Sequence, residues 1–158
     1  MPDPTERLLA VDLGLRTGLA VFGRDGRLLW YRSRNFGTLA RLRKAARSIL
    51  EEAAPLSVVA LEGGGGIALP WEGEVQRRGL VLIQCHAEAW RRELLLSRHQ
   101  RSGPDAKKHA DTLARAIIEW SGAKRPTSLR HDAAEAICLG LWAVHRQGWL
   151  REYPSLTR

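Results

Sequence analysis

Four acidic side chains stand where acids are least expected. Asp12 interrupts the apolar run LLAVDLG, Glu62 ends the run SVVALE, and Asp132 and Glu135 open the apolar segment HDAAEAICLGLWAV. A carboxylate at the end of a buried strand, or at the head of a buried helix, is unfavourable unless its charge is compensated. Three distant places in the sequence carry such acids. The economical solution is that folding gathers them around divalent cations. Hard oxygen donors suit Mg²⁺ (or Mn²⁺), and the chemistry of such a cluster is metal-dependent phosphodiester hydrolysis. Each position also has a local explanation. Asp12 precedes Gly14 and could cap a tight turn. Glu62 could begin a solvated loop, and Asp132-x-x-Glu135 has the spacing of a capping box. His131 shares a helical turn with both acids, as a further ligand or as a solvated helix-start residue. None of these local explanations covers all four acids.

The elements that must position them follow from periodicity. Residues 7–13 (RLLAVDL) read as a buried strand. Residues 18–23 and 27–33 read as two more, joined by the hairpin signal Asp25-Gly26, which gives an antiparallel meander. Over 38–53, apolar residues at Leu39, Leu42, Ala46, Ile49 and Leu50 predict an amphipathic helix that Pro55 stops. The run 57–62 is then a buried strand parallel to the first, because a helix connects it to the sheet. Beyond the loop GGGGIALPW the pattern predicts a long helix over 72–92 and a short strand, ELLLS, at 93–97. A helix opened by Gly103-Pro104 and ended by Gly122 comes next, and a last helix covers 131–146. The expected class is α/β: one domain over residues 1–158, with a mixed sheet in which a three-strand meander is extended by parallel strands and flanked by helices.

Composition narrows the partners. The chain has 158 residues, with 25 basic against 17 acidic side chains, a formal charge of +8. Such a balance favours a polyanion, most simply nucleic acid, and the mostly arginine cations suit phosphate forks. Cys85 and Cys138 lie in apolar contexts read as helical, as reduced core thiols rather than a disulfide or zinc framework. The start MPDPTERLLAV lacks the features of a signal peptide, and no run approaches membrane-spanning length. A cytoplasmic protein with no membrane partner is expected.

The ordered set AVDLGLRTGLAVF, VVALEGG and HDAAEAICLGLW resembles the RuvC-type Holliday-junction resolvases of the ribonuclease H-like superfamily, over about residues 7–146. The resemblance implies a ribonuclease H-like fold in which Asp12, Glu62, Asp132 and Glu135 are the catalytic, metal-binding carboxylates; His131 departs from an acid-only motif, as an adjunct metal ligand or as a partner of the ligands. It implies two Mg²⁺ or Mn²⁺ ions about 4 Å apart. The implied substrate is branched DNA, a four-way junction, cut by paired symmetric nicks that leave 5′-phosphate and 3′-hydroxyl ends. Two cuts imply a homodimer.

Lys107 and Lys108, two of only four lysines, match a region where the family contacts DNA. The family places a bulky residue soon after the strand-end Glu. Here Gly63 to Gly66 intervene, a loop open to close backbone approach, before Ile67, Leu69 and Trp71. Trp71 or Leu69 could reach a junction centre, or Trp71 could pack beneath the loop as core. Leu80 to Ile83 is apolar nearly all round, which suits either a dimer interface or a central helix. Arg77, Arg78, Arg91, Arg92, Arg98 and Arg101 are candidates for a DNA-facing surface. A nuclease for flaps, RNA–DNA hybrids or transposon ends, or a non-catalytic nucleic-acid-binding protein of the same fold, would share these residues.

Overall fold

The computed structural model describes residues 3–95 and 103–156. Its centre is a five-stranded sheet of β1 (Arg7–Asp12), β2 (Arg16–Gly23), β3 (Leu28–Asn35), β4 (Leu56–Glu62) and β5 (Val81–Cys85), ordered β3-β2-β1-β4-β5. The first three strands form the antiparallel meander, and β4 and β5 extend it in parallel. The mixed α/β class expected from the sequence is the observed one.

Helices cover both faces, which is why β1 and β4 are near-continuous apolar runs. Successive residues alternate between two cores. Leu8, Ala10, Ala20, Phe22, Val58 and Ala60 meet α3 (Ala87–Leu94), α4 (Gly103–Ser121) and α5 (His131–Arg146). Leu9, Val11, Leu19, Val21, Val59 and Leu61 meet α1 (Leu39–Ala53) and α2 (Leu69–Arg78). The α1 start is capped by the Thr38 hydroxyl, which accepts from the Arg41 amide.

Two glycines set the distance between α5 and the sheet. A Cβ at Gly18 would stand 1.8 Å from the Asp132 carbonyl oxygen, and one at Gly140 would stand 2.1 Å from Cε1 of Phe22. With hydrogen alone at both points, α5 lies flat on β2 and its first turn comes down onto the end of the sheet.

The region 72–95 departs from the sequence expectation. There is no long helix over 72–92. Instead α2 ends at Gly79, which takes the left-handed conformation (φ 65°), and Val81–Cys85 pairs with β4 as the edge strand β5. A short apolar run such as Leu80–Ile83 has no periodicity that separates strand from helix, and pairing with β4 decides it. The strand expected at 93–97 is also displaced. Glu93 and Leu94 close α3, and Ser97 lies outside the described residues. Cys85 therefore sits on a strand rather than a helix, while Cys138 is on α5; both are free thiols. Among the described residues no helix is long and apolar enough to cross a membrane.

Candidate active site

The sheet register alone brings most of the expected site together. Asp12 pairs with Glu62 across the parallel β1–β4 ladder and with Gly18 across β1–β2, and Gly18 pairs with Ser33 on β3. Residues directly opposite in register project to the same side of a sheet. Glu62, Asp12, Gly18 and Ser33 thus form one row at the carboxyl ends of β1 and β4, on the α5 side. The gap that Gly18 leaves in this row is filled by the first turn of α5, which carries Asp132 and, one turn on, Glu135.

The capping-box explanation of Asp132 fails on geometry. The N-cap of α5 is Arg130, with no side-chain cap bond, so Asp132 is the second residue of the helix, two positions past the cap. Its Oδ2 accepts a 2.6 Å hydrogen bond from the Ser33 hydroxyl. Asp132 is 8% exposed and Glu135 2%. Glu135 Oε1 accepts from the Arg91 guanidinium at 3.0 Å and lies 3.4 Å from His131 Nε2, whereas Oε2 is buried without a hydrogen-bond partner. The Trp90 indole N–H donates to Glu62 Oε1.

Trp90, Arg91 and Ser33 are thus parts of the site that sequence reasoning did not assign. The sequence marks Arg91 only as a candidate surface cation, and the adjacent Trp90 and Arg91, in the middle of α3, carry no motif that ties them to the acids. Ser33 carries no signal at all without the register.

Crowding of these acids is visible in their proton affinities. Burial, then the charge of Glu62 and a hydrogen bond shared with it, then Glu135 and Asp132, push the Asp12 carboxyl from 3.8 up to about 9. Burial is also the first cause raising Glu62, opposed by its bond from Trp90. With no added cation, Asp12 holds a proton against Glu62. Four carboxylates from three chain segments, one with an orphaned buried oxygen, form a donor set fitted to hard divalent cations. Among the described residues, no three such side chains already surround a single ion position. Glu62, Glu135 and Asp132 are instead turned toward Trp90, Arg91 and Ser33, so cation binding requires them to turn inward.

At the level of sequence, no protein-family model and no curated protein matches the chain. Comparison with solved structures does find likeness. The fowlpox virus resolvase in its complex with substrate Holliday junction DNA has a TM-score of 0.67 at 18% identity, over 89% of this chain and 98% of that one. A crystal structure of the fowlpox virus Holliday junction resolvase gives 0.66 at 19% identity, over 89% and 99%. The chain shares its fold with these two structures.

Within this fold the remaining expected residues fall in different places. Lys107 and Lys108 are exposed on the first turns of α4. The other end of α4 meets the start of β3, where Ser121 Oγ accepts from the Leu28 amide, so the lysines lie toward the acid-bearing end of the sheet. Trp71 is fully buried in the core under α2 and cannot stack on a base; packing beneath the loop is its observed role. Leu69, two residues earlier, is 61% exposed. Gln84 bridges the glycine loop, donating to Gly63 O and to Glu72, each at 3.2 Å. Arg77 and Arg78 belong to α2, on the face away from the acids. Both pair with the buried Glu74, and Arg78 also lies 3.6 Å from Glu51. Arg98 and Arg101 lie outside the described residues.

Proposed function

We propose that this protein is a metal-dependent endonuclease that resolves four-way DNA junctions by paired symmetric nicks, leaving 5′-phosphate and 3′-hydroxyl ends. One observation carries the reading: Asp12 and Glu62 stand side by side at the ends of parallel strands, with Asp132 and Glu135 lowered onto them through the opening at Gly18. Likeness to the fowlpox virus resolvase, whose complex holds a Holliday junction, supports the choice of substrate.

In this reading Asp12, Glu62, Asp132 and Glu135 hold two Mg²⁺ (or Mn²⁺) ions, with His131 at the rim. Such ions, when bound, activate water and neutralise charge on the phosphate and leaving oxygen. The chain itself prepares the site. Trp90 and Ser33 fix one oxygen each of Glu62 and Asp132, leaving the others to turn toward cations. Arg91 keeps buried Glu135 compensated until then. Asp12 releases its proton as positive charge enters. Lys107 and Lys108 face the DNA, and exposed Leu69 is the residue positioned to wedge a junction centre.

Paired cuts call for two copies. The β5 edge supports a homodimer, because Val81 and Leu82 leave 48% and 38% of their surface exposed on the outermost strand of the sheet. An exposed apolar edge strand is a template for association.

The test is cleavage of labelled four-way junction, flap, RNA–DNA hybrid and linear duplex with Mg²⁺ or Mn²⁺. Symmetric nicks confined to the junction, resealed by a DNA ligase, are expected. Equal cleavage of all four substrates, or cleavage unaffected by Asp12→Asn, overturns the reading.

A further inference from the structure

A second feature of the acid-bearing end has no role in holding cations. Between the edge strand β3 and the segment 124–130 that leads into α5 runs a groove of about 410 Å³. The segment starts beside the beginning of β3, where the Tyr31 hydroxyl donates to Lys124 O, and ends at Arg130 on the α5 cap. The groove therefore follows β3 toward the active site. Its inner end is formed by Ser33, the donor to Asp132, and by Ala133.

Its lining is one-signed. Lys124, Arg125 and Arg130 contribute three cations, Arg32 borders it from the strand edge with its charge turned to Glu52, and no acidic residue lines it. Arg32 and Arg125 are already paired, with Glu52 and Glu119. Lys124 and Arg130 are exposed and have no ion pair among the described residues. Thr127 and Ser128 add exposed hydroxyls between them.

A comparable hollow on the α1 side, near Arg34, Arg41 and Lys44, also includes Glu52 and borders none of the clustered acids. Cations that lead away from a cluster built to hold metal on a phosphate suit the same polyanion continued on one side.

The geometry points to this groove as the seat for the sugar–phosphate backbone of the DNA strand flanking the scissile phosphate, with Lys124 and Arg130 as its two phosphate contacts. The inference rests on the nuclease reading above and names the part of that site which binds rather than cuts. The residues are positioning residues, since they touch substrate away from the reacting atoms.

Equilibrium binding of a fluorescent four-way junction, in Ca²⁺ and over a series of salt concentrations, tests it. Lys124→Ala/Arg130→Ala should weaken binding on the order of tenfold near 0.1 M salt and reduce the slope of log K against log salt by about two. Lys124→Arg should restore part of the loss. The rise in melting temperature on adding Mg²⁺ or Mn²⁺ should match wild type, because the acids are untouched. Arg41→Ala/Lys44→Ala removes the same charge from the other hollow and should leave the slope near the wild-type value.

Wild-type affinity and slope in the Lys124/Arg130 variant overturn the groove assignment and leave the nuclease reading standing. So does an equal loss in the Arg41/Lys44 variant, which would reduce the effect to net charge. A change in oligomeric mass with unchanged DNA affinity would overturn it in favour of protein–protein docking on β3. Failure of the wild-type protein to bind any DNA removes both readings together.

Discussion

One residue of chain separates two rows that cross the same four strands. Glu62, Asp12, Gly18 and Ser33 face α5, while Leu61, Val11, Leu19 and Arg32 occupy the neighbouring register positions and face the other way. The first row is carboxylate, carboxylate, hydrogen and hydroxyl. In the second, the three aliphatic side chains are fully buried, and Arg32 closes the edge on Glu52 with contacts of 2.8 and 3.0 Å. A strand end covered on both sides can carry chemistry on one face because the opposite face keeps burying hydrocarbon at the same height. The difference between the rows is a division of labour, and it can be broken from either side.

The largest expected effect is on the acid row. Asp12→Asn should lower junction cleavage by on the order of 10³-fold or more, since it removes a charge that acts jointly with three others. The same change should stabilise the protein in chelator. A carboxyl that rises from 3.8 to about 9 on folding binds its proton more tightly in the fold, so wild-type stability should fall as pH rises from about 4 toward 9. Thermal melts in chelator across that range should slope downward for wild type and flatten for Asp12→Asn. Adding Mn²⁺ should recover stability at high pH in wild type alone. A wild-type profile that rises with pH would contradict the crowded-acid picture.

Next come two substitutions at adjacent positions on β2. Leu19→Ala on the aliphatic row should cost about 2–5 kcal/mol of stability, read from denaturant melts, with cleavage per folded molecule retained. Gly18→Ala forces a methyl to 1.8 Å from the Asp132 carbonyl, so α5 must lift from the sheet. It should lose cleavage well beyond its loss of stability, because the lift carries Asp132 and Glu135 away from Asp12. Equal activity losses in the two variants would erase the distinction between the rows.

How far this division was legible in the sequence differs between the rows. Asp12, Glu62, Asp132 and Glu135 stood out because acids in apolar runs are rare, and the strand–helix order followed from periodicity through residue 62. Ser33 and Gly18 were not legible, because their roles exist only through register, a relation between strands rather than a property of either. Residues 81–85 depart from the helical expectation for a related reason. Val81–Cys85 becomes a strand by pairing with β4, although the local pattern of Leu80–Ile83 fits a helix equally well. Trp71 had two open readings, and burial beneath α2 decides for core.

Leu82→Lys addresses the β5 edge. If two copies associate there, a charge on the exposed strand should shift the mass measured in solution from dimer to monomer while the melting temperature stays within a few degrees. A variant that remains dimeric would move the interface elsewhere.

The smallest effect is expected on the aliphatic side, at Arg77. Its guanidinium lies 3.2 Å from Glu74 Oε1, and the side chain is 64% exposed, so solvent screens most of the attraction. Glu74 is 8% exposed at its side chain and keeps a second partner in Arg78, 3.3 Å from Oε2. Removing Arg77 therefore leaves the buried carboxylate compensated. Arg77→Ala should change stability by no more than about 0.5 kcal/mol, with no change in the salt slope of junction binding. Arg78→Ala should cost more, since it also removes one of the two partners of Glu51 and the donor to the Arg47 carbonyl, which its Nη2 reaches at 3.5 Å. A clear drop in slope for either variant would place DNA on the α1 and α2 side and end the assignment of chemistry and packing to opposite faces.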